Sequence, residues 1–314
     1  MNLIQAITNT VHLPFQMTNS FFKAKGMKVL GIDPGAAIAA EATAAGIETI
    51  AAFFDEELAR RILAERGRAK LIVANNVIAN IPDLAGAIRG VRALLADDGV
   101  FVFETQYGAD VITGTLLDTI YHEHLSYFLV RPLTVFFAEL GLELIHVLRV
   151  PTKGGSIRAT IQRAGGPRHV APMVSALIAE EERLGLYAPE IYDATAKRIE
   201  RIRSQLSAFV EAQARAGRAV AGYGASIGTC CQLHQFDLWD RIAFLIDDDH
   251  GKIGVLSGPN YEIPVRAPAA LIEDNPAAVV LFAWRYADRI VENQRAYANR
   301  GGHFVLPLPE FSVR

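Results

Sequence analysis

The stretch Thr119–Phe128, TIYHEHLSYF, sets Tyr121, His122, Glu123 and His124 side by side among apolar residues. An imidazole beside a carboxylate is the usual equipment of general acid–base work near neutral pH, because the acid can fix the imidazole tautomer and raise its basicity. In an extended chain Tyr121 and Glu123 share one face and His122 and His124 the other, whereas in a helix Tyr121 aligns with His124. Neither arrangement gives the HExxH spacing of a zinc hydrolase, and no third ligand stands nearby in the sequence, so no metal is expected. A purely structural hydrogen-bonded cluster is the competing reading of the same residues.

Two further constellations carry chemistry. Asp33 ends the run GIDP, followed by FFD at Phe53–Asp55 and NNV at Asn75–Val77. A carboxylate at the end of a strand in a parallel sheet can accept hydrogen bonds from both hydroxyls of a ribose, and it can equally cap the helix that follows. The glycine turn that normally precedes such a site does not occur in Met1–Phe22, which contains no glycine at all and counts against an intact cofactor pocket. The second constellation is GYGASIG, with Gly222, Gly224 and Gly228 after a strand and Asp247–Asp249 at the end of the next one. It reads either as an anion or nucleotide site on a helix N-terminus or as a tight turn that binds nothing. The same loop admits a nicotinamide-dependent oxidoreductase, the least favoured function.

The elements that must position these groups alternate. Strands are expected at Met27–Pro34, Ile47–Ala52, Lys70–Val77 and up to Glu104, with helices at Ala36–Ala45, Glu56–Glu65 and from Pro82 to Leu95, and a turn at Asp97–Gly99. A helix Pro132–Leu140 and two antiparallel strands, Glu143–Val150 and Ser156–Arg163, follow. Polar helical sequence runs from Pro172 to Arg215, and a second alternating unit begins at Arg218, with a helix expected at Tyr286–Asn299. The fold class is therefore α/β with two Rossmann-like domains, each a parallel sheet covered by helices on both faces. The expected domains are 1–165, a first Rossmann-like unit incomplete at its N-terminus; 166–216, a helical connector; and 217–314, a C-terminal Rossmann-like domain.

Composition narrows the function. The chain has 51% hydrophobic and 21% charged residues, with 31 basic against 34 acidic side chains. It carries no basic run that would track a phosphate backbone, so nucleic acid is not an expected partner. Its apolar runs, such as Ala277–Trp284, are too short to span a bilayer, and a cytoplasmic location without membrane association is expected. The adjacent Cys230 and Cys231 can build neither a disulfide framework nor a CxxC zinc pair, and read as space-filling residues in a helix.

Taken together, VLGIDP, ANNVIANIPD, DDGVFVFETQY, DTIYHEHLSYF, VPTKGGSIR, GYGASIGT, FLIDDD and GGHFVLPLPE resemble the S-adenosylmethionine-dependent sugar C-methyltransferases that act on nucleotide-linked keto-deoxysugars. The matches run in the family's order from about Lys28 to Glu310, and YHEHLSYF with GGSIR is the specific pair. The resemblance implies that His124 and Glu123 form the proton-abstracting pair and that Tyr121 lies close to the sugar. It implies S-adenosylmethionine contacts from Asp33, Phe54, Asn75 and Asn76. It implies substrate contacts from Tyr107, Asn80, Lys153, Gly154, Gly155 and Ser156, and from Tyr223, Gly224, Ala225 and Ser226 of the C-terminal domain. The partner expected is thus a small-molecule nucleotide sugar. Asn80 and Lys153 stand where the family usually carries histidine; a neutral amide holds a hydrogen bond but does not titrate. The family's cysteine-rich zinc domain and its E-x-G-S-N-D-G loop have no counterpart in this sequence. An alternative is a catalytically impaired homologue that binds a sugar nucleotide but not the methyl donor.

Overall fold

The computed structural model describes residues 15–258 and 261–314, which form two compact units. One consists of Met1–Ala109 with Glu123–Tyr187, the other of Asp110–His122 with Ala188–Arg314. Of the glycine-free stretch before Phe22, only the helix α1 (Phe15–Ala24) lies within the described residues, so the expectation for 1–14 falls outside them.

In the first unit the expected alternation appears as β1 (Gly31–Asp33), α2 (Ala36–Ala44), β2 (Thr49–Ala51), α3 (Glu56–Arg66), β3 (Ala69–Asn75), α4 (Leu84–Leu94) and β4 (Leu95–Gln106). Asp55 and Asp83 start α3 and α4 by accepting the amides of Leu58 and Gly86 at 2.7 and 2.8 Å. Each such cap satisfies an orphan donor and is worth about 1 kcal/mol. The strands form two sheets, a parallel pair β1–β2 and a four-stranded sheet ordered β3-β4-β6-β5, where β5 is Leu142–Val150 and β6 is Ser156–Arg163. β3 and β4 are parallel, while β6 runs antiparallel to both its neighbours, as the sequence led us to expect for Glu143–Arg163.

Of the strand expected over Met27–Pro34, only Gly31–Asp33 is hydrogen-bonded as a strand. The residues before it are held by side chains instead. Met27 and Val29 join Phe22, Leu71, Val73, Val100 and Val102 on one face, while Leu30 and Ile32 join Ile50, Ile72 and Leu58, Ile62 and Leu94 on the other. This period-two division is the signature of an extended segment with both faces covered. The turn expected at Asp97–Gly99 lies within β4, where the pairing with β3 shifts register between Ala69 and Leu71. That irregularity absorbs the extra residues without a reversal of the chain.

Within the short helix α5 (Gly108–Thr113) the chain enters the second unit at Asp110, and it returns to the first at Glu123. There α6 (Val130–Glu139) and α7 (Pro172–Arg183) pack beside β5. The N-terminus of α6 has no cap of its own; Glu181 of α7, fully buried, accepts the amides of Val130 at 2.6 Å and Arg131 at 3.2 Å.

The second unit contains α8 (Pro189–Arg215), separated from α7 by Leu184–Ala188, so the single polar stretch expected up to Arg215 is two helices. Its seven-stranded sheet is ordered β13-β12-β11-β7-β8-β10-β9. Here β7 is Val220–Tyr223, β8 Leu245–Ile246, β9 Leu256–Ser257, β10 Ile263–Arg266, β11 Ala278–Leu281, β12 His303–Leu306 and β13 Ser312–Val313. The strands β10, β8, β7, β11 and β12 are mutually parallel. Helix α9 (Ile227–Gln235) follows β7, and α10 (Ala270–Glu273), α11 (Ala287–Asn293) and α12 (Arg295–Ala298) complete the unit. The helix expected over Tyr286–Asn299 is interrupted at Gln294, the cap shared by α11 and α12. Cys230 and Cys231 lie on α9 as free thiols and are half-buried rather than enclosed, since neighbours on a helix point about 100° apart. No helix of the described residues is long and apolar enough to cross a membrane.

Candidate active site

The carboxyl ends of the first unit's strands gather most of the expected residues. Asp33 ends β1 half-buried, and its Oδ1 accepts the Gly35 amide at 2.8 Å. It is therefore a turn residue before α2 rather than the N-cap, which is Gly35. Asn75 ends β3, and Asn76 takes the left-handed conformation (φ 52°) while its amide donates to Glu104 O at 2.7 Å. At the end of β2 the ring that projects is Phe53, 78% exposed, while Phe54 packs against the core around Leu58 and Ile62. Adjacent residues leave an extended chain on opposite sides, so one ring is buried and the other presented.

The turn after β3 then receives the acid–base loop. Ala79 O, in the 3₁₀ turn Ile78–Asn80, accepts the amides of Leu125 at 2.8 Å and Ser126 at 3.1 Å. Asn80 Oδ1 is a buried acceptor with no hydrogen-bond partner among the described residues. A buried orphan of this kind calls for an explanation, and a ligand donor supplies one. His124 is half-buried with its ring edge-on to Tyr127, centroids 6.3 Å apart. Glu123 is exposed and stands next to His124 in the chain. Tyr121 and His122 belong to the second unit, where their rings meet edge-on with centroids 6.3 Å apart.

The turn Thr152–Ser156 connects β5 to β6 through three positive-φ residues, Lys153 (54°), Gly154 (88°) and Gly155 (147°). Beneath it lies an ion pair that sequence reasoning missed. Glu104 of β4, 1% exposed, takes Arg158 Nε at 3.0 Å and Nη2 at 2.6 Å on Oε2, and the Thr152 hydroxyl at 2.8 Å on Oε1. Ser156 is fully buried, its hydroxyl donating to Thr152 O at 3.0 Å. Lys153 and Gly154 are the exposed positions of the turn.

Tyr107 sits differently from its expected place at a substrate. It is completely buried, its hydroxyl donates to Glu181 Oε1 at 2.8 Å, and burial first and then the Glu181 charge push its pKa up. Tyr187 donates to the other oxygen of the same carboxylate. The hydroxyl is thus spent within the packing around α6.

In the second unit, the turn after β7 is closely wired. Gly224 (φ 105°) allows the reversal, and its amide donates to Ile246 O at 2.7 Å. Ala225 N–H goes to Asp247 Oδ2 at 2.8 Å, and Ser226 and Thr229 form a reciprocal capping box at the start of α9. Tyr223 donates to Asp248 Oδ1 at 2.9 Å, and burial raises its pKa. Asp247, the expected ribose acid, also accepts Lys252 Nζ at 3.2 Å and the Asp249 amide at 2.9 Å. Another pair invisible in the sequence lies alongside: Arg285 grips Asp118 through Nη1 at 2.8 Å and Nη2 at 2.9 Å, with Trp284 Nε1 at 3.1 Å. Burial pushes the Asp118 carboxyl up, against the pull of both partners.

A methyltransferase domain matches residues 17–147, and the C-methyltransferase C-terminal domain matches residues 151–309. With its α/β units this chain belongs to the S-adenosylmethionine-dependent C-methyltransferases. It is 34% identical to the C-methyltransferase NovU of Streptomyces niveus over 295 residues, which is 92% of this chain and 69% of that protein. Among solved structures it is similar to the 1,6-didemethyltoxoflavin-N1-methyltransferase of Burkholderia thailandensis (19% identity, TM-score 0.35), over 47% of this chain and 66% of that one. It is also similar to an S-adenosylmethionine-dependent methyltransferase of Anabaena variabilis (19% identity, TM-score 0.37), over 46% and 72% of the two chains. The Asp33 carboxylate and the exposed Phe53 ring stand at neighbouring strand ends, and no glycine-rich strand-to-helix loop precedes β1 among the described residues.

Proposed function

We propose that this protein is a cytoplasmic C-methyltransferase acting on a nucleotide-linked keto-deoxysugar, with His124 as the base that removes a proton next to the ketone. The observation that carries the reading is the attachment of the His124 loop to Ala79, which ties the imidazole to the turn after β3 and its orphan acceptor Asn80 Oδ1. In the reaction the C–H bond breaks, its electron pair passes into the enolate and its proton moves to His124. Glu123 is the carboxylate that stabilises the imidazolium, and Tyr121 the hydroxyl directed to the sugar. The exposed Lys153 ammonium meets the diphosphate, on a turn held from below by Glu104 and Arg158. Asp33 and Phe53 hold the nucleoside of S-adenosylmethionine, which when bound supplies the electrophilic methyl.

Proton abstraction can be tested without methyl transfer. In deuterium oxide, the wild-type protein is expected to exchange the hydrogen next to the ketone of a nucleotide-linked 4-keto-deoxysugar, followed by NMR, and His124→Ala is expected not to. Exchange at the buffer rate in wild type would overturn the assignment of His124. Calorimetry with S-adenosylmethionine tests the donor: no heat at millimolar ligand would leave only the impaired homologue. That second reading is favoured by one observation, that β1 and β3 each have a single hydrogen-bonded neighbour and no glycine-rich strand-to-helix loop precedes β1 among the described residues. It expects thermal stabilisation by the nucleotide sugar and none by S-adenosylmethionine.

A further inference from the structure

In an open parallel sheet, ligands bind beyond the carboxyl ends of the strands where the strand order reverses. In the second unit that place is β7, which is flanked by β8 on one side and β11 on the other. The residues that line it are the glycine turn Gly224–Ser226, the first turn of α9, and the segment after β11 that carries Trp284 and Arg285. Each of these is already engaged by the chain itself.

The 3₁₀ turn Leu117–Thr119 lies across this place. Leu117 is part of the hydrophobic cluster formed by Val220, Leu233, Leu245 and Val280. A Cβ on Gly228, in the first turn of α9, would stand 3.1 Å from Asp118 O and 3.4 Å from Asp118 Cβ, so the close approach of the two backbones depends on glycine there. The Asp118 carboxylate, 5% exposed, receives both terminal nitrogens of Arg285 and the indole N–H of Trp284. A buried carboxylate is tolerated only when paired and hydrogen-bonded in this way. Two donors of the turn are also taken, Ala225 N–H by Asp247 and Ser226 N–H by Thr229 Oγ1. Upstream, Arg198 and Thr195 of α8 hold Ile112 O at 2.6 and 3.4 Å, so the segment is anchored at both ends within the same unit.

We propose that the glycine-rich turn Gly222–Gly228 is a docking cradle for the chain's own Leu117–Thr119 turn, and that Asp118, gripped by Arg285 and Trp284, is a positioning residue for Tyr121 of the same unit. The carboxylates of Asp118 and Asp247 take the places of a ligand's anionic groups. The sequence signal of a phosphate-binding turn here serves intramolecular recognition. Asp118 precedes Tyr121 by less than one helical turn of chain, so its grip fixes the start of the loop segment Tyr121–His122 within the second unit. The consequence for turnover rests on the reading of that loop as catalytic; the docking does not.

Hydrogen exchange on the full chain, read by mass spectrometry, separates the two. In Asp118→Ala and Arg285→Gln, peptides covering residues 111–124 are expected to exchange about tenfold faster, while those from β7 and β11 keep their protection. The charge-reversed double variant Asp118→Arg with Arg285→Asp is expected to recover much of the protection that either single change loses. Gly228→Val, which leaves the ion pair's chemistry intact but fills the cradle, is expected to behave like Asp118→Ala, and it serves in its place if Asp118→Ala does not fold. Where methyl transfer is measurable, Arg285→Gln is expected to lower kcat about tenfold or more with KM for the nucleotide sugar nearly unchanged. Unchanged exchange of 111–124 in folded variants would overturn the docking. Protection of the 222–232 peptide of the wild-type protein by UDP or ADP would overturn it as well, by showing that the turn is a ligand site. Increased exchange of 111–124 with unaltered kcat would remove the positioning role.

Discussion

Two glycine turns, Thr152–Ser156 in the first unit and Gly222–Gly228 in the second, carry the same sequence signal and end differently. Each meets a buried carboxylate gripped twice by an arginine, Glu104 by Arg158 and Asp118 by Arg285. In the first turn the carboxylate belongs to the neighbouring strand β4 and holds Thr152 from within, so Lys153 and Gly154 face outward. In the second the carboxylate comes from a separate stretch of chain and lies over the turn, where Gly228 leaves room for it. Glycines after a strand specify a backbone that can be approached closely. They do not specify what approaches.

The largest effect is expected from His124→Ala, which should lower turnover about 10²- to 10⁴-fold, the usual worth of a general base, with an unaltered circular dichroism spectrum. A rate within a factor of a few of wild type would remove the loop from the chemistry. Next comes Glu104→Ala, which removes the buried carboxylate that grips Arg158 and should cost about 3–5 kcal/mol in a denaturant titration. A loss below about 1 kcal/mol would mean that the first turn is not held from beneath.

The exposed and wired turns should then separate by kind of effect. Lys153→Ala is expected to raise KM for the nucleotide sugar about tenfold, with kcat and stability nearly unchanged, as for a charge used equally in the ground and transition states. Ser226→Ala is expected to do the reverse, costing about 1 kcal/mol of stability through the lost cap of α9 and leaving KM alone. A KM effect from Ser226→Ala comparable to that of Lys153→Ala would erase the distinction. The smallest effect is at His146 on β5. Burial lowers its pKa below the ordinary value of 6.5, so the folded state prefers the neutral ring. Its contribution is present above pH 6.5 and is lost as the pH falls through the lowered value. His146→Gln should flatten that part of the stability profile, and an identical slope in wild type and variant would refute it.

Much of the scaffold was legible. Apolar runs marked β3, β4, β7, β8 and β11. The pairing of β5 with β6 was legible because two strands joined by a short glycine turn have little choice but to run antiparallel. The bond from Ala79 O to the His124 loop was not. Neither was the burial of Tyr107 against Glu181, since a tyrosine after a strand looks the same whether its hydroxyl meets a sugar or a carboxylate.

What the sequence by itself determined, then, is local: the order and period of the elements, the chemistry of Tyr121–His124, and the motifs that place the chain among the C-methyltransferases. Which carboxylate meets which arginine was decided by the tertiary structure alone. Asp118 and Arg285 sit far apart in the chain, as do Glu104 and Arg158, and no periodicity relates them. Their pairing follows from which strand ends the sheets bring together, because a charge removed from water must find its partner wherever the packing has put one.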